Sequence, residues 1–516
     1  MSEMPAVPRV TTAEQSAARD AAAIAAGTPA RMLMQRASAA AASQIAERYG
    51  DAMASGVLVL AGPGNNGGDA WGVARLLAAR GARVCVHQAG EPRGDDARAE
   101  RDDALRDGTI AAGIERPGLV VDGLLGTGAR GEPRGAVADG IRRANAARDH
   151  GASIVALDVP SGIDATTGEA TLAVRAHCTL TFATVKRGLL VARGNAGRIV
   201  ALDIGVADAG HGAPRLADGA WVRAHVPPFA ADAHKGTRKK IAIVGGHLGM
   251  AGAPMLAARA AMRTGVGIVR MIVAPENVAV VQTAVPTALA RPWPGGDAPN
   301  EEIDALFADW ADAVVIGPGM GSGDEIERAI LRMLRAWRGP VVVDADALNI
   351  FSKRIPKLRD VLAGRPAIIT PHAAEMARLL GCEVRDVLAR RFDIGAEVAA
   401  QLGATVMLKG VPTVVSSPGH ETIVSAAGTP ALATGGSGDI LAGIAGTLLA
   451  QIGDAHVAAA CAAWAHGRAA EIAGAGRTVR GVTLADVEEA LALVWRREAS
   501  LAAPVLAELP PAGDES

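Results

Sequence analysis

Short apolar, β-branched runs recur along this chain, and they carry no polar face. Val57–Leu60, Leu119–Val121, Ile154–Leu157, Ile241–Val244, Ala313–Ile316 and Val341–Val343 are apolar at every position or nearly so. A strand with no in–out alternation must be covered on both sides, and longer helical stretches lie between the runs. That pattern restricts the chain to α/β architecture with mostly parallel sheets. Aromatic residues are only 3% of the 516 and hydrophobic residues 50%, so the cores are built from Ala, Val, Leu and Ile.

The length implies more than one domain. Residues 11–26 and 31–48 are Ala-rich and helical in pattern, parted by Gly27-Thr28-Pro29. Strands follow at Val57–Leu60, Arg83–Val86, Leu119–Val121, Ile154–Leu157, Thr179–Phe182 and Ile199–Leu202, and residues 91–107 read as a solvated helix. Around 210–236 the character changes, through Gly210-His211-Gly212-Ala213-Pro214 and Val226-Pro227-Pro228, to a loose connection. A second strand series then begins at Ile241–Val244. It ends in three closely spaced runs, Thr405–Leu408, Thr413–Val415 and Thr422–Val424, which imply an antiparallel hairpin. The expected division is 1–224, 225–505 and a disordered tail at 506–516 rich in Pro and acidic residues.

Bulk properties exclude several classes. A net charge of −2 argues against a broad nucleic-acid footprint or a polybasic membrane patch. Four scattered cysteines without CxxC spacing suit a reducing compartment. No apolar run spans a bilayer and no leader pattern opens the chain, so a cytoplasmic protein without membrane or nucleic-acid partners is expected.

Chemistry gathers at strand ends. Val57–Leu60 runs into Gly62-Pro63-Gly64-Asn65-Asn66-Gly67-Gly68-Asp69, ahead of a helix read from Trp71 to Ala79. The loop lacks the Lys-Ser/Thr ending of a P-loop and offers side-chain oxygens, which suit a hard cation or a polar ligand. Val121-Asp122 leads into Gly126-Thr127-Gly128-Ala129-Arg130-Gly131-Glu132, and Leu157-Asp158 into Pro160-Ser161-Gly162-Ile163-Asp164. Each segment alone is an ordinary turn, but three such ends converge in one crevice of a doubly wound sheet.

On these segments, residues 10–225 resemble the YjeF N-terminal family of NAD(P)H-hydrate epimerases, a Rossmann-like fold. The resemblance implies interconversion of the R and S forms of NADH or NADPH hydrated at C6. It implies K+ at Asn66, Asp122 and Ser161, with substrate cradled by Asn65, Asn66, Gly67, Gly68, Asp69 and by Gly126, Thr127, Gly128, Ala129, Arg130, Gly131 and Glu132. Asp158 becomes the acid/base candidate, and Lys186 its partner or a surface lysine. Ala70 stands where the family carries glycine; a helix starting there tolerates it.

The second series repeats the design. Ile241–Val244 leads into Gly245-Gly246-His247-Leu248-Gly249-Met250-Ala251-Gly252-Ala253, and Ala313–Ile316 into Gly317-Pro318-Gly319-Met320-Gly321. Further strand ends carry Asp344-Ala345-Asp346, Pro371-His372-Ala373-Ala374-Glu375 and Lys409-Gly410-Val411-Pro412-Thr413. Last comes Gly435-Gly436-Ser437-Gly438-Asp439, opening an apolar helix. Backbone amides at such a start favour an anion, and the aspartate is a helix cap or a base for phosphoryl transfer. Alone, His372, Lys409 and the two aspartates read as structural; sharing strand ends, they define one cleft.

Residues 230–500 resemble the YjeF C-terminal family, the ribokinase-like ADP-dependent NAD(P)H-hydrate dehydratases. The resemblance implies that Ala253, Gly319, Met320, Gly321 and His372 face the hydrated dinucleotide. Lys409, Gly410, Val411, Pro412, Thr413, Gly436, Ser437 and Gly438 then face ADP with Mg2+, and Asp439 acts on substrate. Ala373 replaces a frequent proline. The chain thus reads as a bifunctional repair enzyme, expected to be a homo-oligomer. The alternatives are a ribokinase-like small-molecule kinase with a regulatory N-terminal domain, and a non-catalytic binding role for the first unit.

Overall fold

The computed structural model describes residues 7–107, 110–111, 113–207, 212–294, 300–307, 310–496 and 501–513. The Gly210-His211 part of the expected connection lies outside them. The chain divides into two compact units, residues 1–216 with 499–516, and residues 217–498.

In the first unit, β1 (Val10–Thr11) is followed by α1 (Ala13–Ala25) and α2 (Ala30–Ala54). Thr12 caps α1 by a reciprocal box with Gln15. The central strands are β2 (Val57–Ala61), β3 (Val84–Gln88), β4 (Leu119–Gly123), β5 (Ser153–Leu157), β6 (Cys178–Phe182) and β8 (Arg198–Leu202), with a short β7 (Val185–Lys186) paired in parallel to β1. They order as β8-β6-β5-β4-β2-β3, all parallel. Strand order reverses beside β2, and its C-terminal end therefore faces a crevice.

Helix α3 spans Asn65–Ala79, so the Asn-Asn-Gly-Gly-Asp segment is its first turns rather than a loop before it. A Cβ on Gly67 would stand 1.8 Å from the Gly62 carbonyl oxygen, so the chain closes here only without a side chain. Ala70 sits inside this helix, buried and free of positive φ. Helix α4 (Asp95–Arg106) is less solvated than its composition suggests. It buries Glu100 completely, against Arg31 Nε at 3.0 Å and Gln35 Nε2 at 2.9 Å. Helix α5 (Gly135–Asp149) connects β4 to β5.

The second unit carries β9 (Lys240–Val244), α6 (Gly252–Thr264), β10 (Ile268–Val273), β11 (Leu289–Pro292), β12 (Ala313–Ile316), α7 (Asp324–Ala336), β13 (Val341–Val343), β14 (Ala367–Ile369), α8 (Ala373–Leu380), β15 (Thr405–Leu408), β16 (Thr413–Ser416) and β17 (Ile423–Ser425). They order as β11-β10-β9-β12-β13-β14-β15-β16-β17, parallel up to β15 and antiparallel beyond it. The expected hairpin is there. Two apolar helices, α9 (Ser437–Ile452) and α10 (Ala455–Gly474), cover one face, with Ile440, Ile444, Leu448 and Leu449 fully buried.

The tail corrects the sequence reading. Val505–Leu509 forms β18, antiparallel to β8, so the disordered tail predicted at 506–516 is a sheet strand over its first residues; 514–516 lie outside the described residues. Glu508 explains it. Its carboxylate takes Arg48 at 2.8 and 3.0 Å and Arg198 at 2.7 Å, and Ala507 and Leu509 are buried. The unit boundaries move accordingly, from 224/225 to 216/217, with the chain rejoining the first unit at 499 rather than ending the second at 505.

Candidate functional site

In the first unit three strand ends meet as expected. Asp122, the fourth residue of β4, is fully buried; its Oδ1 accepts from Ser161 Oγ (2.6 Å) and its Oδ2 from Ser161 N (2.8 Å). Burial pushes its carboxyl up to about 6 against those bonds. Leu125 ties this pair to Asn66. Its amide donates to Ser161 Oγ (2.8 Å), and its carbonyl accepts from Asn66 Nδ2 (2.8 Å). Asn66 Nδ2 also reaches the Leu157 carbonyl, and that spends the amide's donors while its buried Oδ1 is left with no partner among the described residues. An orphaned carboxamide oxygen next to a buried carboxylate–hydroxyl pair is the donor set of a hard cation, so these residues fit K+.

Asp158 follows β5 with φ 64°, the left-handed region, a conformation that costs a non-glycine residue about 1–3 kcal/mol. Its Oδ1 accepts from Lys186 Nζ at 2.5 Å, and its Oδ2 from the Thr127 amide at 3.2 Å and the Thr127 hydroxyl. Burial raises the Asp158 carboxyl, but the Lys186 ammonium and these hydrogen bonds outweigh it and hold the group below its ordinary value. Lys186 is no surface lysine. Its side chain is 2% exposed, and Nζ also donates to Thr181 Oγ1 (3.1 Å) and the Phe182 carbonyl (2.9 Å). Pairing of β7 with β1 fixes it, with Lys186 in register with Thr11.

Asn66, Gly67 and Gly68 are buried, whereas Asn65, Gly128, Arg130, Gly131 and Glu132 are exposed. Arg130 folds back on the Thr127 and Ala129 carbonyls of its own loop. Asp69 lies at the inner end of the first helical turns, half-buried, and electrostatically joined to Asp158, Lys186 and Asp20.

In the second unit the cleft also sits where strand order reverses, beside β9. The Gly246 and His247 amides donate to the Pro318 and Gly319 carbonyls, at 2.9 and 2.7 Å, and join the two glycine loops. Asp346 Oδ2 accepts from Gly321 N at 2.8 Å and pins the second loop. A Cβ on Gly319 would stand 3.0 Å from Ala253 Cβ, so Ala253 and Gly319 are neighbours; Met320 is buried below them.

Asp344 is buried at the end of β13. Its Oδ1 accepts from Lys409 Nζ (2.8 Å) and Thr370 Oγ1, while its Oδ2 has no hydrogen-bond partner among the described residues. Burial lowers Lys409, but Asp344 and then Glu375 outweigh it and raise the ammonium above its ordinary value. Lys409 Nζ lies 3.4 Å from where a Cβ of Gly438 would be, so the amine stands against the Gly436–Gly438 turn.

Asp439 is not a helix cap. The cap of α9 is Gly436, at φ 97°, and Asp439 sits in the first turn, half-buried. Burial, then the Asp344 charge, push its carboxyl up to about 7, against the pull of Lys409. Ser437 is buried, its hydroxyl 3.3 Å from His466 Nε2, and is a support of the turn. His372 caps α8, its Nδ1 accepting from the Ala374 and Glu375 amides at 3.1 and 3.3 Å, so the structural role weighed for it is real. Its ring remains half exposed at the cleft. Gly410 and Thr413 close a turn on each other, with Val411 outermost. Among the described residues no cluster of three acidic, His or Cys side chains is placed to hold a metal.

Three contributors escaped sequence reasoning: Asp20, in an Ala-rich helix; Asn277, whose amide bonds the Gly246 and His247 carbonyls; and His466, on the buried face of α10. None stands in a strand-end motif.

Two family descriptions match: NAD(P)H-hydrate dehydratase over residues 241–493, and YjeF-related protein N-terminus over residues 30–188. A bifunctional NAD(P)H-hydrate repair enzyme of Salinibacter ruber is 38% identical over 500 residues, covering 89% of this chain and 91% of that protein. One of Escherichia coli is 36% identical, covering 88% and 87%, and one of Pyrobaculum aerophilum 36%, covering 92% and 95%. Among solved structures, an ADP/ATP-dependent NAD(P)H-hydrate dehydratase of Bacillus subtilis, co-crystallized with ATP/Mg2+, has a TM-score of 0.48 at 30% identity, covering 54% of this chain and 96% of that one.

Proposed function

Because the chain belongs to the family of bifunctional NAD(P)H-hydrate repair enzymes, we propose that its first unit interconverts the R and S hydrates and its second dehydrates the S form with ADP, releasing AMP and phosphate. The observation that carries this division is the pairing, in each unit, of a strand-end carboxylate with a lysine: Asp158 with the buried Lys186, and Asp344 with the partly buried Lys409 facing Asp439.

In the second unit, a carboxyl near 7 is matched to taking a proton from the C6 hydroxyl at neutral pH. The alkoxide so formed attacks the terminal phosphoryl of ADP. The Gly436–Gly438 amides, at the start of a sixteen-residue helix, meet the developing charge, and the Lys409 ammonium stands beside them. Phosphate then leaves C6 where hydroxide would not, and loss of a C5 proton to solvent forms the C5–C6 double bond of NAD(P)H. Mg2+ carried on the nucleotide phosphates supplies further charge neutralisation. Ala253 and Gly319 to Gly321 form the wall for the hydrated ring, with His372 at its rim.

In the first unit, Asn66, Asp122 and Ser161 would hold K+, which supplies a fixed positive charge under the substrate. Asp158, ionised and aimed by Lys186 and Thr127, is the acid/base group beside the hydrated ring. The exposed span from Gly128 to Glu132 and Asn65 would cover the dinucleotide from outside. A cytoplasmic, homo-oligomeric protein completes this reading; four free cysteines support the compartment, and light scattering checks the assembly.

The test is recovery of NADH absorbance from pure R or pure S hydrate with ADP. Asp439→Ala should abolish both, and Asp158→Ala should abolish recovery from R alone. Loss of S conversion in Asp158→Ala, or recovery in Asp439→Ala, would sink the division.

A further inference from the structure

The anion turn of the second unit is built almost without side chains. Gly435, Gly436 and Gly438 surround Ser437, and Gly436 holds φ 97°, in the left-handed region. Glycine loses more conformational freedom on folding than any other residue, so such a turn does not hold itself. Two amides are spent locally: Ser437 N donates to the Thr434 carbonyl and Asp439 N to the Gly436 carbonyl, each at 3.1 Å. The Gly436 and Gly438 amides have no acceptor among the described residues, and these are the donors left for a phosphoryl oxygen. The side chain that can anchor them is that of Ser437.

That side chain is tied to α10. Ser437 Oγ stands 3.3 Å from His466 Nε2, and both residues are buried, 6% and 7% exposed. Burial, then the Lys409 charge, push the imidazole down to about 4, so at neutral pH an uncharged ring shares one hydrogen with the hydroxyl. The helix is fitted to this stretch at a second point. Glu471, further along α10, accepts from the Gly428 amide at 2.9 Å and is itself held by Arg468 at 3.0 Å. Gly467 lets the backbones meet, since a Cβ there would stand 2.2 Å from the Ala427 carbonyl oxygen. Helix α10 thus grips both ends of the segment 428–437, while its residues 433–435 stay exposed.

We propose that His466 is a positioning residue for the phosphoryl transfer: by fixing Ser437 it keeps the Gly436 and Gly438 amides aimed at the oxygen that gains charge. This rests on the dehydratase reading of the second unit. Donors fixed in advance cost no reorganisation at the moment of reaction, whereas a free run of glycines has to order itself around each transition state. In this role the imidazole touches neither substrate nor nucleotide and moves no proton. The charge it serves exists only in the transition state, so the effect falls on kcat and not on the KM of the hydrate.

The experiment measures initial rates of NADH recovery from pure S hydrate, with ADP and Mg2+, on the full-length protein. His466→Leu, which keeps the bulk and loses the hydrogen bond, should lower kcat about tenfold or more and leave KM for the hydrate within about twofold. His466→Gln, whose amide reaches the same point, should recover most of that loss. Ser437→Ala should match His466→Leu, and the double variant should be no slower than either alone, because both remove one contact. The ratio of wild-type to His466→Leu rates should stay constant from about pH 6 to 8, where a ring kept uncharged does not titrate. Wild-type kcat in His466→Leu or in Ser437→Ala overturns the inference. So do losses that add in the double variant, or a ratio that changes with pH, which would make the ring an acid or a base. If His466→Leu does not fold, Ser437→Ala and His466→Gln decide: a slow alanine variant beside a near-normal glutamine variant upholds the inference, and any other pair overturns it. If the wild type itself recovers no NADH from S hydrate, the dehydratase reading falls and takes this inference with it.

Discussion

Asp439 shows how a single residue's surroundings set both activity and stability. Its carboxyl is pushed from 3.8 up to about 7 by burial and by Asp344. A folded value above the unfolded one means the protonated form is favoured on folding. That stability is fully present below the unfolded value and lost as pH rises through about 7. Dehydration of S hydrate should therefore fall about tenfold per pH unit below 7, a slope readable from initial rates. Asp439→Asn, with the charge gone, should resist urea better than the wild type by about 1–2 kcal/mol at pH 8, partial exposure having reduced the full shift, with the gain shrinking towards pH 4. Equal stability at both pH values would refute the burial argument. Lys186 presents the opposite case. Lys186→Met strands the Asp158 charge in a dry site and should cost about 3–5 kcal/mol. Adding Asp158→Asn should recover part of that loss, measured by a urea double-mutant cycle.

Among the elements, strands apolar at every position were legible, and the two-residue strands and the tail strand were not. Apolar runs such as Ala313–Ile316 and Val341–Val343 match their strands residue for residue, because strands buried on both faces leave no other reading. The motifs at their ends were legible for the same reason: parallel strands bring glycines and polar oxygens to one edge. Two-residue strands carry no pattern, so the pairing of Val10–Thr11 with Val185–Lys186 was invisible, and with it the burial of Lys186. Val505–Leu509 was hidden by Pro504, Pro510 and Pro511, which resemble a loose end but here only bound an edge strand. Asp20 and His466 lie on helices whose neighbours are mostly alanine, where periodicity points to no site. The tail is thus an element with an energetic role. Glu508→Ala removes one carboxylate serving two arginines and should destabilise the first unit by about 1 kcal/mol. Deleting residues 504–516 also uncovers the β8 edge and should cost more, while dehydration of S hydrate stays intact. Calorimetry and the S-hydrate assay read the two effects separately.

At the scale of the whole molecule, each proposed site draws its named residues from one unit. The Asn66–Asp122–Ser161 cluster and the Asp158–Lys186 pair belong to the first unit, and Asp344, Lys409 and Asp439 to the second. The monovalent-ion requirement should therefore attach to one half of the reaction only. The orphaned Asn66 oxygen and the Asp122 carboxylate are where a K+ ion would recover its lost hydration, and Asp122, raised to about 6, must be ionised to hold it. Replacing K+ by tetramethylammonium, too large for a buried oxygen cage, should slow NADH recovery from R hydrate at least tenfold and leave recovery from S hydrate unchanged. The K+ concentration giving half the R-hydrate rate should rise as pH falls below about 6, because protonated Asp122 no longer attracts the ion. Asp122→Asn should remove that pH dependence and weaken K+ at every pH. An equal loss from both epimers would place the ion in the second unit's chemistry and overturn this assignment, whereas a loss confined to R hydrate ties the cation to the crevice beside β2.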